Sequence, residues 1–193
     1  VAIAIKIYTI IAGVNGAGKS SFTGVLKAER GDLGHIVDVD KLAAEECLGA
    51  IKAGKAAVIR INAYLSKGVS FTQETTLSGQ KTGRTVRLAK EKGYLIRLFY
   101  IGINTSGECV KRVKNRVSKG GHDVAESVVE RRFQNRFESL RRILPYCDQA
   151  FLFDNENGFA EVAVYKNGEL TPKGDYRPDW LRELIHTTPR GAT

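Results

Sequence analysis

Continuous apolar runs alternate along this chain with stretches in which apolar residues recur every three or four positions. The runs Ile3–Ile11, His35–Val39, Ser70–Gln73, Tyr94–Ile103 and Ala150–Asp154 predict strands. The periodic stretches predict helices over Lys19–Arg30, Leu42–Lys67, Gly79–Lys92, Gly107–Ser118 and Val124–Leu144, the second broken at Gly49 or Gly54. The last of them is the clearest: Val124, Val128, Phe133, Phe137, Leu140 and Leu144 share one helical face, and Pro145 stands where a helix should stop. After Asp154 the pattern changes. Phe159–Tyr165, Lys166-Asn167-Gly168 and Glu169–Thr171 predict a small hairpin turned at Asn-Gly. Tyr176–Thr188 predicts a short terminal helix begun at Pro178, and the final residues are expected to fray. Strands alternating with helices predict an α/β fold with a mostly parallel central sheet covered on both faces. The 193 residues suit one domain spanning 1–193.

Between the first strand and the first helix stands Gly-Val-Asn-Gly-Ala-Gly-Lys-Ser, residues 13–20. This is a complete phosphate-binding loop in the strand–loop–helix setting that the motif needs, and it predicts a P-loop NTPase fold. Glycines let backbone N–H groups turn inward around phosphate oxygens, and the following helix N-terminus favours negative charge. Gly13, Asn15, Gly16, Ala17, Gly18, Lys19, Ser20 and Ser21 are therefore the candidate ATP-binding residues. Lys19 would reach the β- and γ-phosphates, and the Ser20 hydroxyl would ligate Mg²⁺.

Two predicted strands end in functional groups. His35–Val39 runs into Asp38 and Asp40, and Asp40 stands where strand gives way to helix. Ligands of such folds bind at the carboxyl ends of strands, where a carboxylate can take the proton of an attacking hydroxyl. Asp40 could equally be a helix N-cap, and Asp38 ranks below it because alternation turns it to the other side of the strand. Ser70–Gln73 leads into Glu74, Thr75 and Thr76, where Glu74 could bind a substrate hydroxyl or orient Mg²⁺ through water. Phe151–Asn155 ends in Asp-Asn, a natural place for adenine contacts. Leu77-Ser-Gly-Gln80 partly matches an ABC-transporter signature, but the acidic strand that should follow it is missing, and that reading is rejected.

Charge adds a further candidate. The chain carries a net charge of +9 with pI near 9.5, which favours anionic partners. Much of the excess lies between Lys111 and Arg142. Arg112 and Arg116 are four apart, as are Arg132 and Arg136, so each pair shares a helix face and repels itself unless an anion lies between. Arginines that neutralise a transferring phosphoryl group fit that pattern. Gly120-Gly121 would let the region of about 112–136 close as a lid. The segment lacks the interleaved aromatics of a nucleic-acid surface, which makes nucleic acid an unlikely partner and an ATP-driven switch or nucleic-acid ATPase the alternative class. Cys47, Cys109 and Cys147 are scattered, His35, His122 and His186 have no zinc spacing, and no apolar stretch is long enough to span a membrane. Val1–Ile11 lacks the basic start and cleavage site of a signal peptide, so a cytoplasmic protein is expected.

Together the loop at Gly13–Ser20, the Asp38-Val-Asp40 strand end, Glu74-Thr75-Thr76-Leu77, the Arg116 to Arg136 region and Phe153-Asp154-Asn155 resemble the zeta toxin family of phosphate-loop kinases. The resemblance runs from Ile7 to about Asn157. It implies an ATP/Mg²⁺-dependent kinase of UDP-activated amino sugars such as UDP-N-acetylglucosamine, neutralised by a partner antitoxin, here expected to be acidic. Carried onto this chain, it implies that Asp40 is the general base and that Glu74 and Thr76 bind substrate. It implies that Arg116 and Arg136 stabilise the transition state, with Arg131 or Arg132 as alternatives. The segment between Leu42 and Val69 is short for a full sugar-nucleotide pocket, which is more like the compact chromosomal branch of the family.

Overall fold

A computed structural model describes residues 5–187. In chain order the elements are β1 (Ile7–Ala12), α1 (Lys19–Glu29), β2 (His35–Val37), α2 (Val39–Glu45), α3 (Ala50–Lys67), β3 (Phe71–Thr75), α4 (Lys81–Glu91) and β4 (Leu95–Gly102). They continue with α5 (Ser106–Val117), α6 (Glu126–Gln134), α7 (Arg136–Ile143), β5 (Gln149–Asp154), β6 (Ala160–Lys166), β7 (Glu169–Pro172) and α8 (Asp179–His186). The sheet order is β2-β3-β1-β4-β5-β6-β7. The strands from β2 to β5 pair in parallel, and β6 and β7 add an antiparallel edge hairpin beside β5.

The central strands are apolar throughout because both faces are covered. On β4, Ile96, Leu98 and Tyr100 face the core made with α3, α4, α7 and α8, while Phe99 and Ile101 face the core made with α1, α5 and α6. Strand alternation thus divides one sequence run between two cores. The order places β1 between β3 and β4, and the chain leaves β1 in one direction and returns over it to reach β4. The carboxyl end of β1 is therefore a switch point of the sheet, where such folds open a crevice.

Several boundaries differ from the sequence expectation. β1 begins at Ile7, and the expected start at Ile3 lies outside the described residues. β2 stops at Val37 because the Asp38 side chain caps α2, accepting from the backbone N–H groups of Asp40 and Lys41. β3 runs on through Glu74, which pairs with Ile11 of β1. Gly54 does not break α3; the interruption falls before Ala50. The run Val124–Leu144 is two helices, divided at Asn135 (φ −93°, ψ 8°), where the Arg131 carbonyl accepts the Asn135 backbone N–H at 3.2 Å and its side-chain amide at 2.9 Å. Pro145 sits in the short 3₁₀ turn that follows, Leu144–Tyr146. The terminal helix spans Asp179–His186, and the expected fraying falls on residues beyond Thr187, outside those described. No helix among the described residues is long and apolar enough to cross a membrane.

Candidate functional site

At the carboxyl ends of β1 and β3 lies a cleft of about 640 Å³. Its floor is the loop between β1 and α1. Gly16 has φ +83° and Gly18 φ +97°, conformations that disfavour side chains. Crowding adds to this: a Cβ on Gly16 would lie 2.4 Å from the Cys109 carbonyl, and one on Gly18 would lie 2.4 Å from the Asn155 amide. The glycines are thus demanded by neighbours as well as by the turn. Lys19 donates to the Val14 carbonyl within the loop at 3.1 Å. Burial lowers its pKa, an effect opposed by the charges of Glu74, Asp40 and Asp38. A partly buried cation at a helix start is suited to meet phosphate oxygens. Cys109, packed behind the loop, is no nucleophile: burial pushes its thiol up to about 11.

Ser20 donates to one oxygen of Glu74 at 3.0 Å, and Thr23 of α1 donates to the other at 2.6 Å. Glu74 is 7% exposed, and burial raises its pKa. Both hydrogen-bonding partners are neutral hydroxyls, so the ionised carboxylate lacks a bonded cation. That donor set fits a hydrated Mg²⁺ held at Ser20, with Glu74 accepting from its waters. No three His, Cys, Asp or Glu side chains among the described residues are grouped to hold a metal; magnesium would share its ligands with phosphate and water. Glu74 thus lines the cleft while bonded to the phosphate loop and α1. Thr23 gave no sequence signal, because its role depends on how β3 lies beside α1.

Both Asp38 and Asp40 line the cleft. The lower rank of Asp38 rested on strand alternation, which ceases at Val37, so both carboxylates face the same space. Asp38 is committed to the α2 cap, whereas the Asp40 side chain is half exposed and free of that duty. Across the cleft, Arg116 of α5 approaches Asp40 at 4.0 Å and donates to the His122 carbonyl at 2.6 Å. Gly121 is where the loop after α5 closes over this arginine: a Cβ there would meet Arg116 Cγ at 2.5 Å. Arg132 of α6 donates to the Asn15 side chain of the phosphate loop at 2.7 Å. Arg112 also lines the cleft, held by Glu108 at 2.8 Å.

Arg136 does not join them. It is 7% exposed, lies over the rings of Phe133 and Phe137, and donates to Glu183 of α8 at 2.6 Å. The break at Asn135 swings it out of register with Arg132. Of the arginines considered, Arg112, Arg116 and Arg132 line the cleft, while Arg131 and Arg136 do not.

Besides Thr75 and Thr76, already candidates for substrate binding, the remaining wall of the cleft includes residues that the sequence pattern did not single out. Gly54, Ala57, Val58 and Ile61 of α3 form its apolar side, and Thr75, Thr76, Ser78, Lys81 and Thr85 its polar side. At i, i+3, i+4 and i+7 these α3 residues share one helical face. Gly54 held the clue: a Cβ there would meet nothing within 4 Å, so packing does not require glycine.

A phosphate loop at the end of the central strand, with carboxylates at the ends of the two strands beyond it, defines an α/β protein of the phosphate-loop fold. Among solved structures, a chain of the PezAT chromosomal toxin-antitoxin system of Streptococcus pneumoniae is similar with TM-score 0.65 and 17% identity, over 95% of this chain and 84% of that one. A chain of the AvrRxo1-ORF1:-ORF2 structure with ATP is similar with TM-score 0.69 and 19% identity, over 98% of this chain and 66% of that one. The chain thus spans slightly less than two-thirds of the latter's length, and at these identities the likeness is one of fold. An uncharacterized protein of Haemophilus influenzae is 35% identical over 127 residues, 63% of this chain and 88% of that protein. The chain belongs to the same family as this Haemophilus protein. No family model matches the sequence.

Proposed function

We propose that the protein is an ATP- and Mg²⁺-dependent kinase that moves the γ-phosphate of ATP to a hydroxyl of a small molecule, a nucleotide sugar such as UDP-N-acetylglucosamine being the first acceptor to try. The observation that carries this reading is a half-exposed carboxylate, Asp40, facing the phosphate loop across one cleft with Arg116 at 4.0 Å. A pure nucleotide switch needs no such proton acceptor on the far side of the loop.

In this reading the loop N–H groups and Lys19 hold the phosphates, and Arg116 and Arg132 neutralise charge at the transferring group. Magnesium, when bound at Ser20, supplies further charge neutralisation on the phosphates. Asp40 accepts the proton of the acceptor hydroxyl as its oxygen bonds to phosphorus, and ADP departs with the bridging electron pair. The α3 wall and the hydroxyls of Thr75, Thr76 and Thr85 position the acceptor. Catalysis is then mainly placement and electrostatics. The excess of basic charge, together with the toxin-antitoxin setting of the similar PezAT structure, supports an acidic protein partner.

The test is incubation with ATP, Mg²⁺ and a panel of UDP-sugars, sugars and nucleosides, read by mass spectrometry for a gain of one phosphate. Asp40→Asn is expected to abolish transfer and leave ATP binding within about twofold, because the lost group touches only the proton. Near-normal turnover by Asp40→Asn removes Asp40 as the base.

A further inference from the structure

Behind the phosphate loop, the ends of β4 and β5 are tied to α8 by a chain of polar contacts. Asp154 is 2% exposed. One of its oxygens accepts from the Trp180 indole N–H at 2.7 Å; the other accepts from the Tyr176 hydroxyl and the Glu156 backbone N–H, each at 3.2 Å. Trp180, 1% exposed, lies against Gly102, where a Cβ would come within 2.2 Å of the indole. The Gly102 carbonyl accepts the backbone N–H of Asn155 at 3.2 Å. The Asn155 side-chain amide in turn donates to the Ala17 carbonyl of the phosphate loop at 2.8 Å.

That last bond has a consequence for the loop. In a trans peptide the carbonyl and the following N–H point in opposite directions. The Ala17 carbonyl is directed to the Asn155 amide, so the Gly18 N–H of the same peptide is directed away from Asn155 and is available to a phosphate, with the carbonyl dipole, which repels phosphate, turned the other way. The loop sequence alone permits either orientation, since Gly18 is free to rotate. Asn155 selects one.

We infer that Asn155 is a positioning residue for the nucleotide phosphates, and that the buried Asp154–Trp180 contact sets its place, so that the C-terminal helix α8 is part of the phosphate-binding apparatus. This rests on the reading that the cleft binds ATP. It adds to an adenine-contacting role at this strand end a bond from the Asn155 amide to the loop.

The test is isothermal titration of ATP with Mg²⁺ into the whole protein and its Asn155→Ala, Trp180→Phe and Asn155→Ala/Trp180→Phe variants, each with its melting temperature. Loss of one such bond weakens ATP binding by about five- to tenfold in Asn155→Ala. Trp180→Phe keeps a ring over Gly102 but lacks the N–H, and it weakens ATP several-fold. The double variant is no weaker than Asn155→Ala, because both changes act along one chain of contacts. Tyr176→Phe, which removes only a hydroxyl, takes the place of Trp180→Phe in the cycle if the latter does not fold. Melting temperatures that fall while ATP affinity stays unchanged overturn the inference, as do losses that multiply in the double variant. If the unaltered protein binds no ATP, the nucleotide reading fails and the inference falls with it.

Discussion

Burying a carboxylate against two hydroxyls, as β3 does with Glu74, costs stability whenever that carboxylate is charged. Burial raises its pKa above the ordinary carboxylate range. Its contribution is therefore fully present below that range and is lost as pH rises through the raised value. Without magnesium, the melting temperature is expected to fall over that interval, and Glu74→Gln, which stays neutral, should flatten the fall and melt higher than the unaltered protein at neutral pH. Adding MgATP should stabilise the unaltered protein more than the variant. Identical pH profiles for the two proteins would mean that Glu74 is not ionising where it is buried. Arg136 leads to the opposite kind of result. Its guanidinium meets Glu183 and two phenyl rings, so Arg136→Ala should cost about 1–3 kcal/mol of stability, seen as a lower urea midpoint, with little change in ATP affinity. A large loss of turnover in a stably folded Arg136→Ala would return this residue to the cleft. Lys19 and Ser20 were legible in the sequence because their motif is local. The Ser20–Glu74 contact was not, because it requires the pairing of β1 with β3.

Among the elements, α3 shows how a core pattern can hide a binding wall. Its face Gly54, Ala57, Val58 and Ile61 lines the cleft, and at Gly54 space is left open. Glycine inside a helix costs about 0.5–1 kcal/mol relative to alanine. Gly54→Ala should therefore raise the melting temperature. A bulkier change, Gly54→Leu, should fill the wall and impair transfer to the acceptor while leaving ATP affinity intact. If Gly54→Leu transfers phosphate normally, the acceptor lies elsewhere. The strands were readable because continuous apolar runs between glycine-rich turns leave few alternatives. The division of Val124–Leu144 into α6 and α7 was hidden, since the apolar spacing carries through the break and only the Asn135 side chain marks it. On either side of it, Arg132 reaches the phosphate loop and Arg136 turns to α8.

For the molecule as a whole, the parallel sheet brings together residues far apart in sequence, and the fold class followed directly from the alternation of strands and helices. Asp40, Arg116 and Lys19 come to one cleft from the first turn of α2, from α5 and from the start of α1. With a net charge of +9, binding of the proposed acidic partner is expected to weaken steeply as salt rises from low to physiological levels, and capture that does not respond to salt would count against that proposal. The central claim is that this cleft transfers phosphate rather than merely holding nucleotide. The most direct measurement is the mass of acceptors incubated with ATP, Mg²⁺ and either the unaltered protein or Asp40→Asn. The account predicts a gain of one phosphate on a hydroxyl compound with the unaltered protein, none with Asp40→Asn, and similar ATP affinity for both. Phosphate released only to water, at equal rates by both proteins, would contradict it.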